Sequence, residues 1–461
     1  MRQLTKIMLC SLLFCLLVVI ITAAIIAITI EPNDYKTQIA DFVKSKIGRD
    51  VSLEGDIELA LFPPVTLKTQ RIVIDNTADF KPDPFLTLNK SEIHLNAWAL
   101  LKRKIEIAGI DLTDLTVNLV VNKLGLRNWS DFGAETTQST INGNSSVIPE
   151  FLSSSLGPVN IYNGRINWND RKSDTQIAFT TIQFNSGPIN IGKPAAVHVS
   201  LIVSYPHIKS ETNLKFDTFL CFDTMLDHFV FNDSLLDYKG YNPFPSGGPL
   251  NAQLSMHEID IKRSIQSINI TGLQLAMTGI KLSADLQGET IIDKPEIRST
   301  IKVEPFNPKA VIKEWGFPFP ALTNPNALTN LSMDLDVQAT MDAADIYHIN
   351  LKFDNSRIDG SVSVKNFRKP SILFDLAVDK IDLDEYKTLK DSNASRSDFN
   401  VTRFTNYLNQ SKNFDANGQL RVDRLTYNHT LFEGIYFTLN SKNGIVTEQR
   451  NGQNRPKLSM Q

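Results

Sequence analysis

VSLEGDIELAL, residues 51–61, decides the fold. Val51, Leu53, Ile57, Leu59 and Leu61 alternate with Ser52, Glu54, Asp56 and Glu58, and Gly55 keeps the apolar register. A period of two marks a strand with one face buried and the other wet. Pro63-Pro64 breaks the run, and Val65–Leu67 and Arg71–Ile74 resume it. Glu92–Leu95, Lys104–Ile107 and Leu115–Val121 repeat the pattern. Ile72, Ile74, Ile93, Leu95, Ile105 and Ile107 thereby join the first five apolar residues as the candidate floor of one sheet.

Upstream the period changes to that of a helix. Asn33–Gly48, NDYKTQIADFVKSKIG, offers Asn33 or Asp34 as a cap, Ile39, Phe42, Val43 and Ile47 as one stripe, and Gly48 as the stop. Before it, Ile7–Ile30 contains no charged residue, Pro or Gly. As a helix of about 1.5 Å per residue it spans about 36 Å, enough for a hydrocarbon core of about 30 Å. Arg2 and Lys6 precede it and Glu31 and Asp34 follow, which places the N-terminus in the cytoplasm and the body outside. The run is too long for the apolar region of a cleaved signal peptide, about 7–15 residues.

Downstream, Gly133–Pro149 is rich in Thr, Ser, Asn and Gly and reads as a linker or long loop. Alternating segments return from Val159 onwards. Asn307 as cap, Pro308 in the first turn and Gly316 as the stop predict one short helix, and Asp398–Ser411 a last amphipathic one. Gly418–Leu425 and Gly434–Leu439 read as a hairpin, and the tail after Thr447 has no period. The fold expected is mainly β: an N-terminal transmembrane helix, then antiparallel sheet with a few short helices. A doubly wound nucleotide-binding architecture is excluded. The sequence divides into an anchor (1–30), a first β segment with its leading helix (31–132), a linker (133–150), a β body (151–446) and a disordered tail (447–461).

Chemistry is sparse. The 461 residues carry a formal net charge of −3, with no basic stretch suited to nucleic acid. Cys10 and Cys15 fall in the apolar run, leaving Cys221 alone in the body, so no intrachain disulfide forms there. No GxGxxG, Walker A, GxSxG, HExxH, CxxC or EF-hand pattern occurs. The seven histidines are scattered, and Asp382 and Asp384 read as a solvated strand face. Asn144, Asn232, Asn269, Asn330 and Asn428 head glycosylation sequons, which an Asn-rich chain produces by chance. No catalytic residue, cofactor or metal is expected. What remains is an apolar sheet face with few helices to cover it. It closes as a dry sandwich, or it stays open as a trough that holds something apolar.

Short pieces in a fixed order resemble the AsmA family of bacterial envelope proteins. They are Glu31–Lys36, Ile47–Ile57 with Phe62-Pro63, Leu126–Trp129, Phe306–Lys309, Pro325–Leu328, Phe353–Gly360 and Asp379–Tyr386. The family is similar in plan to TamB and YhdP. The resemblance implies anchorage in the bacterial inner membrane, a long curved β-groove in the periplasm, and passive guidance of phospholipid towards the outer membrane. It resolves the trough question towards the open groove and implies no active site. Members continue past the segment resembling Lys442–Val446 into further strands. Here the sequence turns into TEQRNGQ, so either a second envelope protein or a second copy of this chain is expected at the C-terminal sheet edge, the Gly418–Leu439 hairpin. The rival reading is an assembly factor with a closed sandwich working through protein contacts. An envelope hydrolase is a weaker third, since no nucleophile–base pattern supports it.

A reporter fused after residue 60 is expected to be active only on the outer side of the inner membrane. Cytoplasmic activity, or release of the body by signal peptidase, contradicts the anchor.

Overall fold

A computed structural model describes residues 32–61, 64–102, 104, 106–131, 156–205, 210–240, 242, 248–388, 415–442 and 445–449. The Ile7–Ile30 run, the linker 133–150, Ile105 and the expected helix Asp398–Ser411 lie outside them. Among the described residues no helix is long and apolar enough to cross a membrane.

The leading helix forms as a 3-10 turn, Pro32–Tyr35, running into α1 (Lys36–Ile47). Its start corrects the sequence reading. Tyr35 precedes the helix without a side-chain cap, because Asn33 Oδ1 accepts the Ile57 N–H instead, at 2.9 Å. Its end follows the reading: Gly48 sits at φ +73 and donates its N–H to Lys44 O, a left-handed stop that glycine adopts without strain. The apolar stripe divides. Val43 and Ile47 are half-buried, while Phe42 is 64% exposed.

The chain separates into two units, Met1–Leu226 and Asp227–Gln461. In the first, β1 (Val51–Leu53) and β2 (Ile57–Ala60) pair with β4 (Ile72–Ile74) and β3 (Val65–Thr69) respectively. Both β3 and β4 lie along one edge of β5 (Leu86–Leu95), whose other edge takes β6 (Ile107–Val121). Between β5 and β6 a short helix, α2 (Ala97–Leu101), is capped by Asn96. Then β7 (Val159–Asp170), β8 (Thr175–Ser186), β9 (Ala195–Tyr205) and β10 (Ser210–Phe222) add in chain order.

The second unit repeats the plan. β11 (His228–Gly240), β12 (Leu250–Lys262), β13 (Ser267–Met277), β14 (Ile280–Glu289) and β15 (Glu296–Phe306) form a meander. Helix α3 (Pro308–Glu314) follows, with Asn307 Oδ1 accepting the Ala310 N–H as the sequence predicts. The meander continues through β16 (Leu331–Thr340), β17 (Ala343–Phe353), β18 (Ser356–Lys365) and β19 (Ser371–Asp382). β20 (Asp415–Tyr427) and β21 (Thr430–Lys442) make the expected hairpin. β22 (Ile445–Gln449) pairs with β21, so the alternation expected to end near Leu439 runs further, and Thr447–Gln449 of the expected tail are strand.

The expected antiparallel pairing dominates, but the sheets are mixed. β6 pairs parallel with β7, and β19 parallel with β20. In both places more than a dozen residues separate the strands, enough to return the chain to its starting end.

Where α1 meets the first sheet, a buried cation fixes the joint. Arg49 is 4% exposed. Its guanidinium donates to both Asp131 carboxylate oxygens at 2.9 and 2.5 Å and to the Asn128 carbonyl, and it lies 4.4 Å from the Phe85 ring centroid. Asn128, 1% exposed, accepts from Val120 N–H and donates to Asn118 O and Asn76 Oδ1. Two of the family-like pieces, Ile47–Ile57 and Leu126–Trp129, thus form one clasp.

Arg49→Ala removes the fork and leaves the Asn128 carbonyl buried. It is expected to lower stability by about 3 kcal/mol in urea unfolding. Arg49→Lys keeps the charge but not the bidentate geometry and is expected to recover only part of the loss.

Candidate functional site

The candidate site is the apolar face of each sheet. Directly opposed residues in a ladder share a face, so register shows which side chains line up. Val51 opposes Ile74 and Leu53 opposes Ile72. Leu59 opposes Leu67, which opposes Ile93, which opposes Ile110. Leu95 opposes Ile107 across a bulge. Leu61 follows β2, half-buried, and Ile57, 3% exposed, is closed off beside the Pro32–Tyr35 turn.

A crease divides this face. In β8, Phe179 and Phe184 are five residues apart, a step that ordinary pleating sends to opposite faces. They oppose Val203 and Val199 of β9, a strand with no positive φ, where four residues of separation keep both on one side. Thr181 at φ +49 and a one-residue register slip supply the difference. Asn163 (φ 56) in β7 and Asp114 (φ 57) in β6 continue the line, joined by an Asn163 Nδ2 bond to Asp114 Oδ1 at 2.6 Å. Gly55 (φ 78) ends it between β1 and β2, where an added Cβ would strike Gln70. One apolar face therefore crosses the first unit in two blocks. The first runs Val51–Ile74–Leu86–Val117–Ile166–Phe179–Val203, and the second includes Leu112–Ile161–Phe184–Val199–Phe216.

In the second unit a single row runs unbroken from β11 to β21: Leu236, Leu254, Leu275, Leu282, Val303, Met333, Leu351, Ile358, Val378, Val422 and Ile435. Only Val378 and Val422 are buried, in a small cluster with Leu425; the other nine are half-exposed. Facing side chains of a sandwich interdigitate and dry out; in this row Val378 and Val422 are buried, with Ile358 and Ile435 packed against their cluster, and the remaining seven keep partial exposure without joining it.

The opposite face is polar. Lys68, Glu92, Asp111, Asn160, Asn185, His198 and Asp217 oppose one another across seven strands. Asn160 donates to Asp111 Oδ1 at 2.7 Å and Asn185 to Asn160 Oδ1 at 3.1 Å. Glu92, His94 and Asp111 come close enough to share an ion. Yet Lys90 pairs with Glu92 at 2.8 Å, and the His94 ring nitrogens are taken by Thr66 Oγ1 and Asp111 Oδ2, both at 3.0 Å. The Lys90 hydrogen bond holds Glu92 below the usual carboxylate range. Burial pushes Asp111 up, but bonds from Asn160 and His94 outweigh it and leave its pKa lowered. The histidines that looked scattered in sequence are part of this pattern: all six described ones, His94, His198, His228, His257, His348 and His429, pair with an aspartate.

Four more family-like pieces converge at one end of the second unit. Asp354 accepts the backbone N–H groups of Leu328, Thr329 and Asn330 at 2.7–3.0 Å and the Tyr386 hydroxyl at 2.9 Å. Burial raises its pKa, but these four donors more than offset that and leave it lowered. Lys309 donates its N–H to Leu328 O and its ammonium to Pro325 O. Asp384 corrects the reading of a solvated face. It binds the N–H groups of Asn428 and His429 and the Lys387 ammonium, and its side chain is 15% exposed. Asp-X spacing gives no sign of these long-range caps. They hold strand ends together, and nothing in them addresses a substrate.

The AsmA family model matches residues 1–219, consistent with an AsmA-family protein. No curated relative matches the chain.

Leu282→Asp puts a charge on a half-exposed position and is expected to cost about 1–2 kcal/mol, the loss of part of one leucine's burial. Val422→Asp, in the small buried cluster, is expected to cost about 4 kcal/mol or more. Urea midpoints separate the two; an equal, large loss at both means that the face is closed.

Proposed function

We propose, for a chain whose first 219 residues are of the AsmA family, a non-enzymatic lipid-handling role in the bacterial envelope. The Ile7–Ile30 run anchors the protein in the inner membrane, the N-terminus stays in the cytoplasm, and the sheets stand in the periplasm. Phospholipid acyl chains lie on the apolar face and move along it towards the outer membrane, supporting outer-membrane assembly. Family membership supports an envelope-related role at the coarse level.

The observation that carries the lipid reading is the half-exposed row from Leu236 to Ile435. Each buried CH₂ contributes about 0.8 kcal/mol, so a long chain gains much by lying there. The row holds only Leu, Ile, Val and Met, with no polar group to fix a headgroup at one place. A lipid is held by area and slides at little cost. Beyond β21, β22 ends the described ladder with one edge unpaired among the described residues, a template for a second envelope protein by strand addition.

Photo-crosslinkers in the intact protein in cells test both parts. At Leu53 and Leu282 they are expected to capture phospholipid, and at the exposed neighbours Ser52 and Lys281 not. Equal capture on both faces, or none on either, sinks the groove in favour of the assembly-factor reading. At Thr447 a discrete protein adduct is expected; its absence removes the edge partner.

A further inference from the structure

We infer that the end of the first unit bearing α2 rests on the headgroup layer of the bilayer that holds the N-terminal run, with Trp98 in the interface and Lys102 and Lys104 against anionic lipid. Trp98 is 75% exposed, yet it is not on a loose loop. Asn96 Oδ1 accepts the N–H groups of Trp98 and Ala99 at 3.0 and 3.4 Å, and Asn96 Nδ2 donates to Glu106 Oε2 at 3.0 Å. Ala99 is 5% exposed, and its carbonyl accepts the N–H groups of both Lys102 and Lys104. A rigid knob thus presents one indole to solvent with two exposed ammonium groups close behind it in the chain. Tryptophan beside lysine is the side-chain pair that favours the membrane–water boundary.

Position selects this end. The β2–β3 and β5–β6 connections lie side by side, since Ala60 opposes Thr66, Val65 opposes Leu95 and Leu95 opposes Ile107. Pro32, two residues after the Ile7–Ile30 run, begins the turn that is tied to the start of β2 by the Asn33–Ile57 bond at 2.9 Å and the Lys36–Asp56 pair at 3.5 Å. From Ile57 to the end of β2 is about 10 Å of strand. The far end of β6 also shows an exposed apolar residue, Leu124, beside Lys123. It lies towards the Arg49 clasp, a helix length of about 18 Å from the Pro32–Tyr35 turn. The α2 end therefore faces the bilayer. This inference rests on the Ile7–Ile30 run being the anchor.

The test uses the full chain reconstituted into vesicles of brominated-acyl phosphatidylethanolamine and phosphatidylglycerol. Tryptophan emission is expected to be quenched relative to unbrominated vesicles, and Trp98→Phe to abolish most of that quenching while Trp129, Trp168 and Trp315 remain. Lys102→Glu with Lys104→Glu is expected to weaken quenching in these vesicles but not in wholly zwitterionic ones, because the attraction depends on lipid charge. Unchanged quenching in Trp98→Phe, or none in the wild-type chain while alkaline carbonate leaves it in the membrane, overturns the inference. Extraction by carbonate overturns the anchor itself, and with it the basis of the inference.

Discussion

Cross-strand backbone pairing is the interaction on which everything else in this protein depends. A globular domain holds itself together by burying an apolar core, but here the buried cluster at Val378, Val422 and Leu425 is small and most of the apolar row stays half-exposed. Several of the most deeply buried side chains are short polar ones, Thr212 and Ser234 among them. Each strand satisfies its N–H and C=O groups against its neighbours, and the order of the sheet follows. The polar clasps belong to the same economy of contacts. Arg49 and Asp131 tie α1 to the loop after β6, and Asp354 and Asp384 gather the turns at strand ends, where the ladder no longer supplies partners.

How much of this was legible in the sequence depended on range. Period two announced the strands, and Asn307, Pro308 and Gly48 announced helix ends, because those signals are local. Asn33 failed as a cap because Ile57, far along the chain, claimed its oxygen. The parallel junctions were hidden, since a strand's direction leaves no mark on its alternation. The crease was visible and missed: Leu67 to Ile72, Leu88 to Ile93, Ile161 to Ile166 and Phe179 to Phe184 all step by five. Asn163 stands inside the Ile161–Ile166 step and Asp114 inside the like step from Leu112 to Val117, both residue types that tolerate a left-handed backbone. Family-like pieces such as Leu126–Trp129 and Phe353–Gly360 are joints, a role that local pattern does not reveal. Of the candidate floor, Ile57 is 3% exposed, beside a turn set by tertiary contact that the local pattern does not show.

The two faces divide the work chemically. On the polar side, Lys68, Glu92, Asp111, Asn160 and Asn185 satisfy one another along the ladder, so that face is wet and internally balanced. On the apolar side, aliphatic and phenyl side chains offer area without direction.

The parallel pairings, β6 with β7 and β19 with β20, have a consequence for how the protein is made. Nearly every other strand pairs with one made just before it, so as the polypeptide emerges each new hairpin arm closes the edge left by the last. Synthesis and zippering keep pace, and the loops to be closed are short, which favours fast local assembly. At the two parallel junctions this rhythm stops. The nascent edge of β6, and later that of β19, must wait uncovered until the returning segment has been delivered. Those two intervals are when the half-built sheet is most open to the wrong strand.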